Sequence, residues 1–296
     1  MKRLLWLLEL SAVLLVVFPL AFLPLRAGEV LGSIVHACWG RRRRIAVENV
    51  RRTIAADALP KHLDPEQIVQ AFFRHLGRSV VELAKIYCGR GRRILESVEL
   101  RGFEHIEKAK AGGKGLILLT GHCGNWELVA LVYSLRYEPF AVVARAQNNP
   151  YLTRLVERIR KKFGNSVIYK KGALRNIVAE LRKNRGVGLL MDQAVVPDEG
   201  YIINFLGRPA WTMKIPAALG RKTGTAIVPA FIHREGGRHV VTIHPPLVLS
   251  GEINDEQALR ADTQRLSSFV EGYIREHPEQ WLWIHRRWKR AGQEVR

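Results

Sequence analysis

The run Gly115-Leu116-Ile117-Leu118-Leu119-Thr120 leads directly into Gly121-His122-Cys123-Gly124-Asn125-Trp126-Glu127-Leu128. An apolar stretch that meets a glycine-rich turn and then an amphipathic segment reads as strand, tight turn and helix. This places a histidine at the turn and a carboxylate in the first helical turn. The five-residue separation lets Glu127 fold back toward His122, hold the proton on one imidazole nitrogen and leave the other as a base. A base of this kind takes the proton from an alcohol as the alcohol attacks a carbonyl, so no serine nucleophile is needed. Backbone N–H groups at the helix start offer an oxyanion site. The plainer alternative is that His122 and Glu127 only cap and tie a helix start, because a bare His-x4-Glu spacing is common by chance. The glycines, Asn125 and the strand-end position weigh toward chemistry. Cys123 is a rival nucleophile, but adjacent residues point apart at such a turn, so a small filler residue is its better account.

Two further polar residues end apolar runs. Arg145 follows the run 139–144 and by itself reads first as a plain surface arginine after a strand, with phosphate binding as the alternative. Asp192 follows 187–191, where a buried carboxylate needs a partner, and pairing with Arg145 would account for both. Ten histidines are scattered without a His-x3-His or Cys-x2-Cys pair, and no Walker-type or dinucleotide glycine loop occurs. Neither a metal nor a cofactor is expected.

The elements that must position these residues are regular. Residues 30–56 and 65–88 read as helices, with Asp64-Pro65 as a helix start. Short apolar runs at 97–101, 115–120, 139–144, 166–169 and 187–191 alternate with amphipathic stretches. Further strands are expected at 201–205, 226–232 and 239–249, the last two joined by a hairpin at Arg234-Glu235-Gly236-Gly237, with helices near 211–223 and 256–276. The fold class is α/β: a mixed, largely parallel central sheet flanked by helices, behind an N-terminal membrane-anchoring helix. The domain division is 1–29 for the anchor and 30–296 for the body, of which 30–95 is helical and 96–296 forms the α/β core.

From Leu4 to Leu25 the chain is almost wholly apolar, with Glu9 its one charge. Twenty-two residues at about 1.5 Å each would span roughly 33 Å, enough for a bilayer core. The run is longer than a signal-peptide core and lacks a convincing cleavage site, so a retained anchor is expected. Pro19 and Pro24 leave spanning and lying in the interface both open. Arginines after the run, including Arg41 to Arg44, place the body on the cytoplasmic side and suit anionic lipid, nucleic acid or plain solvation. Three widely spaced cysteines fit a reducing compartment. The 47 Lys and Arg against 27 Asp and Glu leave a charge of +20, which implies an anionic partner. At the other end, Trp281, Trp283 and Trp288 are interleaved with His285, Arg286, Arg287 and Lys289. Docking is expected for part of this cluster and membrane-interface contact for the rest; single-stranded nucleic acid is the alternative.

The sequence resembles the bacterial lipid A biosynthesis (late, or secondary) acyltransferases of the lysophospholipid acyltransferase superfamily. His122 to Glu127 looks like the His-x4-Asp/Glu block, and Arg145 in Val142 to Pro150 matches the arginine of the second block. Gly188 to Gln193 is similar to the Asp-Gln strand end, and Asn204 to Thr212 to the Phe-x-Gly, small-x-Thr segment. Ala226 to Ala230 and Pro278 to Lys289 resemble the Val-Pro strand and the family's ending. These six ordered blocks cover roughly 100–290. The resemblance implies transfer of a fatty acyl chain from an acyl-carrier-protein thioester to a hydroxyl of a lipid A precursor, with His122 as base and Glu127 as its orienting partner. It further implies substrate contacts from Asn125, Arg145, Asp192, Phe205, Gly207 and Thr212, of which Phe205 and Thr212 would shape the acyl or acceptor cleft. The expected partners are acyl carrier protein, a lipid A precursor or related anionic glycolipid, and anionic membrane lipids, with no nucleic acid. The expected location is the cytoplasmic face of a bacterial inner membrane. An acyltransferase of lysophospholipid or another glycolipid is the alternative within this chemistry, and a basic, nucleic-acid-binding membrane protein the alternative outside it.

Overall fold

A computed structural model of the chain describes residues 2–169, 172–249 and 255–291. Four helices come first: α1 (Lys2–Leu20), α2 (Leu25–Cys38), α3 (Gly40–Ala55) and α4 (Pro65–Tyr87). The helix expected over 30–56 is two helices. The chain breaks at Trp39, whose φ of −93° and ψ of 52° are non-helical, and the weak helix former Gly40 follows. The start of α4 is as the sequence implies: Pro65 occupies the first turn and the Asp64 carboxylate accepts from the Glu66 N–H at 2.8 Å.

Helices α2 and α4 meet backbone to backbone through small residues. A Cβ on Gly32 would lie 2.1 Å from the Phe73 carbonyl oxygen, and one on Gly77 would lie 2.0 Å from that of Gly28. Gly28 and Gly32 are four apart and share one face of α2, so only glycines there allow this approach.

The remaining elements are α5 (Arg92–Glu96), β1 (Glu99–Arg101), α6 (Glu104–Ala111), β2 (Leu116–Thr120), α7 (Glu127–Arg136), β3 (Phe140–Ala144), α8 (Pro150–Arg160), β4 (Ser166–Tyr169), α9 (Ala173–Arg182), β5 (Gly186–Leu190), β6 (Gly200–Phe205), β7 (Arg208–Met213), α10 (Ile215–Thr223), β8 (Ala226–Glu235), β9 (Arg238–Ile243) and α11 (Glu256–Glu276). Seven strands form one sheet in the order β1-β9-β8-β2-β5-β3-β4. Every neighbouring pair is parallel except β8–β9.

Helices cover both faces, so β2 is buried along its whole length. Its side chains alternate between two cores. Ile117 and Leu119 join the core under α3, α4, α9, α10 and α11, while Leu116 and Leu118 join the core under α6 and α7. Two strand expectations need correction. Residues 208–213 form β7, an antiparallel partner of β6, where the sequence suggests the start of a helix; α10 begins only at Ile215. The expected strand 239–249 ends at Ile243, before Pro245-Pro246, which cannot donate to a ladder. The β8–β9 hairpin closes through Gly236-Gly237, with Glu235 opposite Arg238, as expected.

Gly32→Leu should push α2 off α4 and cost about 1–3 kcal/mol, the usual penalty for overpacking. Thermal melting in detergent should show a lowered midpoint, whereas the same change at exposed Val30 should leave it within experimental error.

Candidate active site

The parallel register of β2 and β5 sets Thr120 opposite Leu190. Two residues beyond each strand end stand His122 and Asp192, so the register alone delivers them to the same level at the carboxyl edge, where open α/β sheets hold their ligands. The contact is intimate. His122 Nδ1 lies 2.8 Å from Asp192 Oδ1, and the His122 backbone N–H donates to Oδ2 at 2.9 Å. The Trp281 indole N–H donates to the same Oδ2 at 2.8 Å. Asp192 is 1% exposed. Burial opposes its ionisation, but the His122 ring, the His122 amide and the Trp281 indole outweigh that and hold its carboxyl well below the usual carboxylate range.

An ionised Asp192 on Nδ1 fixes the imidazole tautomer, with the proton on Nδ1 and the lone pair on Nε2. The Gln193 side-chain nitrogen stands 3.1 Å from that Nε2, as the amide donor such a tautomer accepts. The His122 side chain keeps 19% of its surface exposed, and its edge meets Trp126 at 4.9 Å between ring centres. Geometry therefore presents one oriented imidazole nitrogen at an accessible strand end.

Glu127 is not the group that orients His122. It opens α7, and both of its oxygens are taken by Arg160 at the end of α8, one of them 2.9 Å from Nε. The pair ties α7 to α8 and leaves the orienting role to Asp192. The pairing of Arg145 with Asp192 is not formed either. Arg145 is exposed just past β3, where it shares a small hollow with Gln147, Glu157, Arg160 and Tyr169. Cys123 is fully buried and burial pushes its thiol pKa well up, which removes it as a nucleophile.

The turn is held from below by a buried polar network. Gly124 has a φ of +52°, and a Cβ there would lie 2.3 Å from the Ile232 carbonyl oxygen, so the turn admits only glycine. Asn125, 2% exposed, donates through Nδ2 to Glu82 Oε2 at 2.8 Å. The Glu82 carboxylate, equally buried, also receives Arg234 at 2.6 Å and faces His239 Nε2 at 3.0 Å. Asn125 thus points into the protein, away from the position expected of a substrate ligand. Burial works against the Glu82 charge, but the bonds from His239 and Asn125 and the Arg234 charge hold its pKa well below the ordinary glutamate value of 4.5.

The third wall is the C-terminal segment. Gly124 N–H donates to Gln280 O at 2.7 Å, and Leu282 N–H donates to His122 O at 3.2 Å, so the chain after α11 pairs with the histidine turn itself. Gln280 clamps β8 by accepting from Arg234 N at 2.7 Å and donating to Arg234 O at 3.2 Å. Trp281, Trp283 and Trp288 are all buried and the segment 281–291 has no α-helix, so the docking expected for part of this cluster takes in all three indoles. Each indole finds a polar partner inside: Asp192 for Trp281, Pro278 O for Trp283, Phe205 O for Trp288. Phe205 and Thr212 belong to this core and line no cleft. Phe205 packs on Trp281 and Trp288 under the Arg287 guanidinium, 4.4 Å from its ring centre, while Arg287 donates to Trp211 O and Thr212 Oγ1. Gly207 sits in the β6–β7 turn with a φ of +76°, against Ala56. His285, half-buried and with its pKa lowered to about 4 by desolvation, accepts the Ala194 N–H at 3.3 Å, just past Gln193.

Sequence reasoning misses Glu82 and Gln193 as site supports. Each carries a signal: Glu82 lies on the apolar face of α4, and Gln193 adjoins a carboxylate at a strand end.

An open α/β sheet with a carboxylate-oriented histidine at its carboxyl edge and a long apolar helix in front suits base-assisted acyl transfer at a membrane. The chain belongs to the bacterial lipid A biosynthesis acyltransferase family, with a match to the family model over residues 2–290. It is 26% identical over 268 residues to the lipid A biosynthesis lauroyltransferase of Escherichia coli K12, covering 89% of this chain and 84% of that one. A lipid A biosynthesis acyltransferase of Haemophilus influenzae is 24% identical over 221 residues, 74% of this chain and 68% of the relative. The phosphatidylinositol mannoside acyltransferase of Mycobacterium tuberculosis is 25% identical over 248 residues, 81% and 77% of the two chains. The protein is an acyltransferase.

Breaking the Glu82 network should be costly. Glu82→Gln leaves Arg234 buried without its counter-charge and should lower stability at neutral pH by about 3–5 kcal/mol. Because the folded-state pKa of Glu82 is depressed, its contribution is present above 4.5 and is lost as pH falls below that value. Acid titration of unfolding should therefore be shallower in the variant than in the parent between pH 4.5 and about 2, and parallel to it from 4.5 to neutrality.

Proposed function

We propose that this acyltransferase moves a fatty acyl chain from an acyl-carrier-protein thioester to a hydroxyl of a lipid A precursor, at the cytoplasmic face of the bacterial inner membrane. The observation that carries the reading is the bond between His122 Nδ1 and Asp192. It leaves Nε2 as the base. The acceptor hydroxyl takes the place of the Gln193 amide at Nε2 and gives up its proton as its oxygen attacks the thioester carbonyl. Collapse of the tetrahedral adduct expels the thiolate, which recovers the proton from the imidazolium. Asp192 stabilises that imidazolium without taking its proton. A thioester is already activated, so orientation and one base suffice.

Arg145, exposed beside the site, supplies a cation for a phosphate on the acceptor or on the donor's phosphopantetheine arm. Glu127 acts in this reading through Arg160, by fixing α7 and α8 around that position. The charge of +20 suits three acidic species meeting at one surface: anionic lipid, a phosphorylated glycolipid and acyl carrier protein.

A second acceptor follows from the mycobacterial relative, which matches about as well as the lipid A enzymes. Purified protein given labelled acyl-carrier protein should transfer label to a lipid A precursor; transfer only to a phosphatidylinositol mannoside would establish the second acceptor instead. His122→Ala should nearly abolish transfer, and full activity in that variant would remove His122 as the base. Asp192→Asn should lower kcat by roughly 100- to 10,000-fold, the range associated with losing an oriented base. Glu127→Gln should cost less than Asp192→Asn, and the reverse order would return the orienting role to Glu127.

A further inference from the structure

The face that α1 turns to the protein repeats along its whole length. Trp6, Leu10, Val13, Leu14 and Val17 are partly shielded and Leu20 is buried, a spacing of three and four that marks one side of a helix. The side chains of Leu4, Leu5, Leu8, Leu15, Val16 and Phe18 are exposed. Both ends of α1 are fastened to the same body. Near its start, Asn149 at the head of α8 donates through Nδ2 to Trp6 O and to Glu9 Oε2, both at 2.9 Å, and Arg3 reaches the Tyr151 hydroxyl at 3.2 Å. At its other end Leu20 and Ala21 pack against Val81 and Ala84 of α4, and Lys85 Nζ donates to Ala21 O at 3.0 Å.

Trp6 and Leu20 are fourteen residues apart, about 21 Å along the axis. A helix that crossed a bilayer of about 30 Å would carry its start to the far surface, away from a domain left on the near one. It would also take the polar Glu9 side chain into hydrocarbon without Asn149. We infer that α1 does not cross the membrane: it lies in the leaflet next to the catalytic body, with both ends on one side and its exposed apolar face in the lipid.

Charge on the body agrees with that placement. Arg3 and Arg154 flank the start of the helix. At its end a groove of about 630 Å³ between Phe18, Phe22 and Tyr87 holds Arg90, Arg158 and Lys162, with the Arg90 guanidinium 4.8 Å from the Phe22 ring centre. Aromatic rings beside cations at the edge of an apolar face suit anionic headgroups. Leu23 and the exposed Val30 and Ile34 of α2 extend the same apolar surface. An interfacial helix normally needs a polar side of its own; here the protein occupies that side, which explains why α1 is apolar all round. The inference is independent of which glycolipid is acylated.

Topology labelling of the full chain in membranes tests it. In a background with Cys38 and Cys88 changed to Ser, Lys2→Cys is compared with a variant that keeps exposed Cys38 alone; buried Cys123 stays in both. A membrane-impermeant maleimide should label both thiols in inverted inner-membrane vesicles and neither in spheroplasts. Labelling of Lys2→Cys only in spheroplasts would establish a spanning helix and overturn the inference. The pair Arg3→Cys and Tyr151→Cys, which leaves the Asn149 bonds to Trp6 and Glu9 intact, should be joined within one chain by a short bis-maleimide in the same vesicles. Failure to join them would overturn the docked placement, even with both ends on one side.

Discussion

One buried carboxylate organises this protein. Asp192 lies buried at the carboxyl end of β5, where it binds the His122 ring, the His122 amide and the Trp281 indole. Removing an ionised carboxylate from water costs several kcal/mol, and bonds to a charged group return about 1.5–3 kcal/mol each, so Asp192 is tolerable only with its partners in place. The same requirement that stabilises the fold therefore forces the histidine into one tautomer and one direction. Chain ends that are far apart in sequence are drawn to that point, since strands β2 and β5 and the segment after α11 must all arrive for the carboxylate to be satisfied.

Around that centre the supports are layered. Glu82 gathers Asn125, Arg234 and His239 beneath the histidine turn, and Gln280 bridges the turn to β8. The three C-terminal tryptophans with Phe205 and Arg287 fill the side next to Asp192. A rigid floor of this kind leaves adaptation to the rim, where exposed Arg145 and the basic groove along α1 face outward. Arg234 and Arg287 are held within the floor by Glu82 and by the Phe205–Thr212 wall, while Arg145, Arg90 and Arg158 lie at the rim.

Helix α1 is anchored at both ends to the body. Asn149 caps α8 through its oxygen and holds α1 through its nitrogen, so the anchor is fastened four residues past Arg145. The arrangement brings α1 to the carboxyl edge of the sheet, the edge that carries His122.

Much of this was written in local pattern. Alternation of apolar runs with amphipathic stretches, Asp64-Pro65 and the Gly-Gly hairpin named the α/β class and most strand positions, because burial period and turn chemistry are local. The glycine-rich turn after β2 singled out His122 for the same reason. What decided its partner was the parallel register of β2 with β5, a contact between residues seventy apart, and spacing within one segment pointed to Glu127 because only nearby carboxylates are visible along the chain. Arg160 claimed Glu127, Glu82 claimed Asn125, and Asp192 claimed Trp281. Likewise the apolar composition of α1 announced a candidate membrane anchor, while its shielded stripe and Glu9–Asn149 bond exist only once the helix has docked on the body. Residue types determine which groups need partners; the packing of distant elements determines which partners they get.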